Sequence, residues 1–172
     1  MQRLLLLFCL TACTGTPTTT GFAPVTSIVV RAESIVPALQ CGKGPGQIAK
    51  YTAVISVRFE DGGGGPLAGQ TYECFADAMF ATKETLPGTQ FDIEVFVWSA
   101  SAYAAESTLP TIETQLRDPN LDGGVHVQVA AALQSLRALM PTARRRCTAT
   151  QVSNVQAVAR CDEAVTDAGG GG

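Results

Sequence analysis

Tyr51-Thr52-Ala53-Val54-Ile55-Ser56-Val57-Arg58-Phe59 alternates residue by residue. Tyr51, Ala53, Ile55, Val57 and Phe59 fall on one side, and Thr52, Ser56 and Arg58 mark the other. Successive side chains of a strand point to opposite faces, so strict alternation reads as a half-buried strand. Asp61-Gly62-Gly63-Gly64-Gly65-Pro66 follows, a loop through which no element is expected to continue. Upstream, Val25 to Ala32 is apolar and β-branched and reads as a first strand, broken by Pro37 and by Cys41-Gly42-Lys43-Gly44-Pro45-Gly46. Downstream, Thr71 to Ala81 puts Tyr72, Cys74, Ala76, Ala78 and Phe80 on one face, a further strand before the turn at Leu86-Pro87-Gly88. Phe91 to Ser99 then sets Phe91, Ile93, Val95 and Val97 inward against Asp92 and Glu94. Phe96 and Trp98 make its far end apolar on both faces.

The period changes after Ser101. Pro110 at a helix start, Ile112 with Leu116 and Glu113 with Arg117 predict a short helix that Pro119 stops. From Val125 two periods compete: Val125, Val127 and Val129 alternate, whereas Val129, Leu133, Leu136 and Met140 keep helical spacing. The longer pattern predicts a helix over 127–139, ended by Pro141. The last unit, Cys147 to Cys161, has two β-rich runs around Ser153-Asn154 and reads as a hairpin. A three-residue loop centred on Asn154 puts Cys147 directly opposite Cys161, with Cβ atoms about 4.5–5.5 Å apart, close to what a disulfide needs. A two-residue Ser-Asn loop would misalign them. The expectation is therefore Cys147–Cys161 and, by elimination, Cys41–Cys74.

Strands separated by Gly/Pro turns predict a mainly β chain, all-β or α+β. The expected architecture is an antiparallel β-sandwich, loosely immunoglobulin-like, with one or two short helices and two disulfides. The likeness is architectural only, because Trp98 follows Cys74 and the Cys–Trp–Cys order of true immunoglobulin domains is absent.

The N-terminus sets the compartment. Met1-Gln2-Arg3 precedes an apolar run from Leu4 to Leu10, too short for a bilayer span of roughly 20 residues, which marks residues 1–12 as a cleaved secretory leader. Its close, Leu10-Thr11-Ala12-Cys13, resembles the lipobox of bacterial lipoproteins at all four positions. That resemblance implies cleavage before Cys13, a thioether-linked diacylglycerol on its sulfur and an acylated amine. Two or more chains hold a protein on a bilayer where one does not, since each buried CH₂ contributes about 0.8 kcal/mol. Thr14, not Asp, follows the Cys, which points to the outer membrane or cell surface, lipid-anchored, with a periplasm-facing placement also open. Residues 13–24, rich in Thr, Pro and Gly, read as a tether, 25–162 as a single β-rich domain and 163–172 as a disordered Gly tail. Of six cysteines, Cys9 leaves with the leader and Cys13 carries lipid, so Cys41, Cys74, Cys147 and Cys161 remain to pair in an oxidising setting.

Little in the sequence carries chemistry. The net charge of −3 is too mild to imply a nucleic acid partner, and the single basic run, Arg144-Arg145-Arg146, reads as a solvated strand end. No cofactor is expected. The one histidine, His126, has no nucleophile motif around it and reads as an exposed residue near a helix start. Asp92, Glu94, Glu60 and Asp61 read as solvent-face carboxylates. Asp118-Pro119-Asn120-Leu121-Asp122-Gly123 matches the opening of a calcium loop through Asp118, Asn120 and Asp122, but Val129 stands where such a loop needs its bidentate Glu. Tyr51, Tyr72, Tyr103 and Trp98 are better placed in a core than on a sugar-binding face. The sequence thus points to a surface lipoprotein acting as a binding or structural module, attached to the membrane through Cys13, and leaves open a protein or glycan partner that it does not identify. The alternatives are an exported hydrolase, whose site would have to assemble around His126, and a protease inhibitor presenting the Cys41-to-Pro45 segment.

Overall fold

The alternating stretch becomes an interior strand of a five-stranded sheet. The computed structural model describes residues 26–37, 40–82, 89–117, 127–151 and 156–162. In chain order the elements are β1 (Thr26–Val30), α1 (Ala32–Ile35), β2 (Ile48–Arg58), β3 (Gly64–Glu73), β4 (Ala78–Thr82) and β5 (Gln90–Ser99). There follow α2 (Ala100–Ala105), α3 (Leu109–Leu116), α4 (Val127–Ala138), β6 (Ala143–Thr150), β7 (Ala157–Val158) and β8 (Arg160–Cys161). Five strands pair antiparallel in the order β3-β2-β5-β6-β8, and three form a smaller sheet, β4-β1-β7. Within the small sheet β1 runs antiparallel to β4 and parallel to β7.

The two sheets enclose one core. Tyr51, Ala53, Ile55 and Val57 from β2 join Phe91, Ile93, Val95 and Val97 from β5, and these meet Ile28, Val30, Ala78 and Phe80 of the small sheet. The opposite face of the large sheet has its own cluster, in which Val54, Phe96 and Trp98 pack against Leu109, Ile112 and Leu116 of α3 and Val129, Leu133 and Leu136 of α4. The mainly β sandwich is therefore as the sequence predicts, and a helical layer on its outer face explains why the end of β5 is apolar on both sides. The predicted helix at 127–139 is α4, and Pro110 opens α3. Two further short helices, α1 and α2, bring the number among the described residues above the one or two expected. No helix among the described residues is long and apolar enough to cross a membrane.

The structure corrects the sequence reading at several places. The glycine run is not all loop: the turn closes at Phe59–Gly63, where the Phe59 N–H donates to the Gly63 carbonyl at 2.9 Å, and β3 starts at Gly64. Pro66 is tolerated because β3 is an edge strand and the register shifts there, between Ile55 and Ser56 of β2. The run from Thr71 to Ala81 is two strands, not one. It crosses from the large sheet to the small one at a turn where the Ala76 N–H donates to the Glu73 carbonyl at 2.9 Å, leaving Ala76 exposed. Both halves face the same core, so the alternation of Tyr72, Cys74, Ala78 and Phe80 continues across the corner and conceals it.

The C-terminal hairpin divides likewise: Arg160 and Cys161 pair with β6, but Ala157 and Val158 pair with β1 in the other sheet. Its register is the predicted one, with Cys147 opposite Cys161 and Thr148 opposite Arg160. The disulfides are Cys147–Cys161 and Cys41–Cys74. Phe59 and Met140, expected inside, are exposed at the ends of their patterns. Ser153 and Asn154 lie outside the described residues.

Candidate functional site

One end of the large sheet is left open. There the first residue of β2, Ile48, lies beside Val97 near the end of β5 and Ala143 at the start of β6, all three lining a cleft of about 410 Å³. Ile35 and Val36, at the close of α1, form the facing wall, and the loop through Pro45, Gly46 and Gln47 makes the rim. Gln40, Thr142 and Arg145 add the polar groups.

Arg145 owes its place to strand parity. Arg144, Arg145 and Arg146 occupy consecutive positions of β6 opposite Phe96, Val95 and Glu94 of β5, so their side chains alternate between faces. Arg144 lies on the helical side, 5.7 Å over the Phe96 ring, and its Nη2 donates to the Arg137 and Leu139 carbonyls at 2.8 and 2.9 Å, closing the C-terminal end of α4. Arg146 is exposed. Arg145 shares the face of Cys147 and Ala149, the core face. It is half-buried, and its guanidinium reaches the cleft while Nε donates to the Ile35 carbonyl at 3.1 Å and Nη1 approaches the Asp162 carbonyl at 3.4 Å. Among the described residues it makes no ion pair, whereas Arg31, Lys50, Arg58 and Arg137 each pair with a carboxylate. The basic run is thus not a uniformly solvated strand end, as its composition suggests.

The wall and the rim are both fixed. Asp77 accepts from the Ala32 N–H at 2.8 Å and from Arg31 Nη1 at 2.8 Å, which ties α1 to the β3–β4 corner. The backbone N–H holds the Asp77 carboxyl below its ordinary range against the opposing effect of burial, and Arg31 adds to the lowering. In the rim loop the Gly44 N–H donates to Gln47 Oε1 at 2.9 Å and the Gly42 N–H to the Ile48 carbonyl at 2.8 Å. A Cβ on Gly42 would stand 2.1 Å from Gln47 Oε1, so a glycine there lets the side chain fold under the loop. The Cys41–Cys74 disulfide anchors the loop at its start, with Lys43, Pro45 and Gly46 exposed. The segment considered for protease inhibition is therefore a braced loop, and it serves as the rim of the cleft.

The other candidates separate widely. Cys13, Asp118, Asn120, Asp122 and His126 lie outside the described residues. Asp92 pairs with Arg58 and Glu94 with Arg137, and Asp61 accepts from the Gly63 N–H at 2.9 Å. Tyr51 and Trp98 are fully buried and Tyr72 packs against the core; Tyr103 is half-buried, with its hydroxyl on Glu113 at 2.5 Å and its ring 4.7 Å from Lys50 Nζ. Among the described residues no three His, Cys, Asp or Glu side chains gather as metal ligands. The described lining of the cleft holds one cation, two amides and a hydroxyl over an apolar floor, with no carboxylate, thiol or imidazole. Such a set is chemically able to hold and orient a ligand, and the described lining has no group that takes up or releases a proton near neutral pH. The signal for Arg145 was in the sequence, as an arginine at an inward-facing position of a strand two residues before Cys147.

Compared with protein-family models, curated proteins and solved structures, the chain matches none.

Proposed function

We propose that this chain is a lipid-anchored binding module of the bacterial envelope, held at the outer membrane or cell surface through Cys13 and using the end cleft of its sandwich to take a ligand. The observation that carries the binding half is the braced cleft with a single half-buried guanidinium at its edge. Its volume lies in the range of roughly 300–1,000 Å³ typical of small-molecule sites. The anchor half rests on Leu10-Thr11-Ala12-Cys13. Two disulfides within the β-rich body are consistent with an exported, oxidising setting.

The anchor is tested by labelling cells with a radioactive fatty acid and fractionating them. The native chain is expected to carry label and sediment with membranes, while Cys13→Ala is unlabelled and released. A Cys13→Ala chain that stays with the membrane rules the anchor out. The ligand-binding half is tested by filling the cleft with Ala143→Phe: the folded variant is expected to lose whatever small molecule the native protein retains from envelope extract.

A further inference from the structure

We infer that the end cleft selects a small amphipathic carboxylate, with the anionic head on Arg145 and the apolar body on the floor made by Ile48, Val97 and Ala143. This deepens the binding-module reading and rests on it. The argument begins with charge. Removing an ion from water is costly unless a counter-charge or hydrogen bonds replace the lost solvation. Arg145 is half-buried, and among the described residues its guanidinium meets only two backbone carbonyls, both neutral acceptors. The bond to Ile35 fixes the orientation of the plane through Nε, the Asp162 carbonyl lies 3.4 Å from Nη1, and Nη2 is left to donate to a ligand. A guanidinium fork matches a carboxylate in plane and spacing.

The rest of the cleft decides what the carboxylate is attached to. Ile35, Val36, Ile48, Val97 and Ala143 line the same cleft as that charge with apolar surface, Ala143 being the most exposed of them. A small inorganic anion would leave this surface wet, and an uncharged apolar molecule would leave Arg145 without a counter-ion. An amphipathic carboxylate satisfies both. Gln47, whose Oε1 is held by the Gly44 N–H, lines the rim and adds a polar neighbour for the ligand's body.

The experiment uses the full chain in lipid nanodiscs, with empty nanodiscs as the blank, and titrates three probes of one shape: phenylpropionate, phenylpropanol and phenylpropylammonium. Saturable binding of the carboxylate, at least roughly tenfold tighter than the alcohol and with the ammonium weakest, is expected. Arg145→Gln should lower carboxylate affinity by roughly ten- to a hundredfold and leave the alcohol unchanged. Arg145→Lys, which keeps the charge without the fork and guards against a Gln variant that fails to fold, should fall between. Equal binding of acid and alcohol, with both variants unaffected, would overturn the carboxylate assignment and leave the cleft as a binding site. Displacement of phenylpropionate by equimolar inorganic phosphate would overturn the amphipathic part. Absence of saturable binding by all three probes overturns the inference, and the Cys13→Ala fractionation then reports independently on the anchor.

Discussion

The indole N–H of Trp98 donates to the hydroxyl oxygen of Thr52 at 3.2 Å, and that oxygen also lies 2.9 Å from the hydroxyl of Thr71. Trp98 and Thr52 are fully buried between the large sheet and the helices, so this chain of polar groups crosses three strands, β5, β2 and β3, inside an otherwise apolar layer. Thr52→Val keeps the side-chain shape and strands both partners. A buried donor without an acceptor costs about 1–3 kcal/mol, and the variant should be less stable by that amount in urea unfolding. Adding Trp98→Phe removes the stranded N–H, so the double variant should lose less than the two single losses summed. Strict additivity would show that the two groups do not interact.

All three tyrosines hold their protons more tightly than a free phenol. Burial raises Tyr51 most, with the neighbouring charges of Tyr72 and Asp77 adding to it, and burial raises Tyr72. Tyr103 is pushed up to about 12 by burial first and then by its hydrogen bond to Glu113. The unfolded chain ionises near the ordinary value of about 10, so between there and 12 the folded state binds more protons. Stability contributed by these groups is complete below pH 10 and falls as pH rises toward 12. Ultraviolet absorbance should show no phenolate step at pH 10 while near-ultraviolet circular dichroism stays native. A native protein that ionises a tyrosine there contradicts the packing.

The sequence is legible where period and register act locally. Alternation placed Tyr51, Ala53, Ile55 and Val57 on the core face, and hairpin register placed Cys147 opposite Cys161. It is illegible where the chain changes sheet, because Cys74 and Ala78 face one core from two sheets and their alternation runs through the corner. The same limit hides the cleft. Its lining comes from α1, the rim loop, β2, β5 and β6, and no local pattern states that Ile35 will stand over Arg145. By composition Arg144, Arg145 and Arg146 form one basic run, and strand parity alone separates the three.

Asp77 links acid stability to the wall of the cleft. Its carboxyl is held below the ordinary range, chiefly by the Ala32 N–H, so the folded pKa is depressed relative to the unfolded one. The resulting stabilisation is present above the unfolded value of about 3.9 and is lost as pH falls through the folded one. Asp77→Asn should therefore be less stable than the native chain at neutral pH, and the difference should shrink in acid below about pH 4. Melting temperatures across that range read it directly; a constant offset would mean the carboxylate charge is not involved. Because Asp77 ties α1, the same variant should also loosen the Ile35–Arg145 bond, seen as faster amide exchange in α1.

Gly64 and Gly46 separate two reasons for a glycine. Both have positive φ, 131° at Gly64 and 75° at Gly46. A Cβ at Gly46 would meet nothing within 4 Å, so Gly46→Ala carries only the cost of the left-handed backbone, roughly 1–2 kcal/mol. A Cβ at Gly64 would stand 2.1 Å from the Val57 carbonyl oxygen, which is backbone of the paired strand and cannot turn aside. Gly64→Ala must therefore open the β2–β3 hairpin at its first pair, Arg58 with Gly64, as well as strain φ. It should cost more than about 3 kcal/mol, a loss seen only where a named structural device is broken. Urea unfolding of the two variants side by side tests this. Equal losses would show that the hairpin yields at Gly64 without leaving its register.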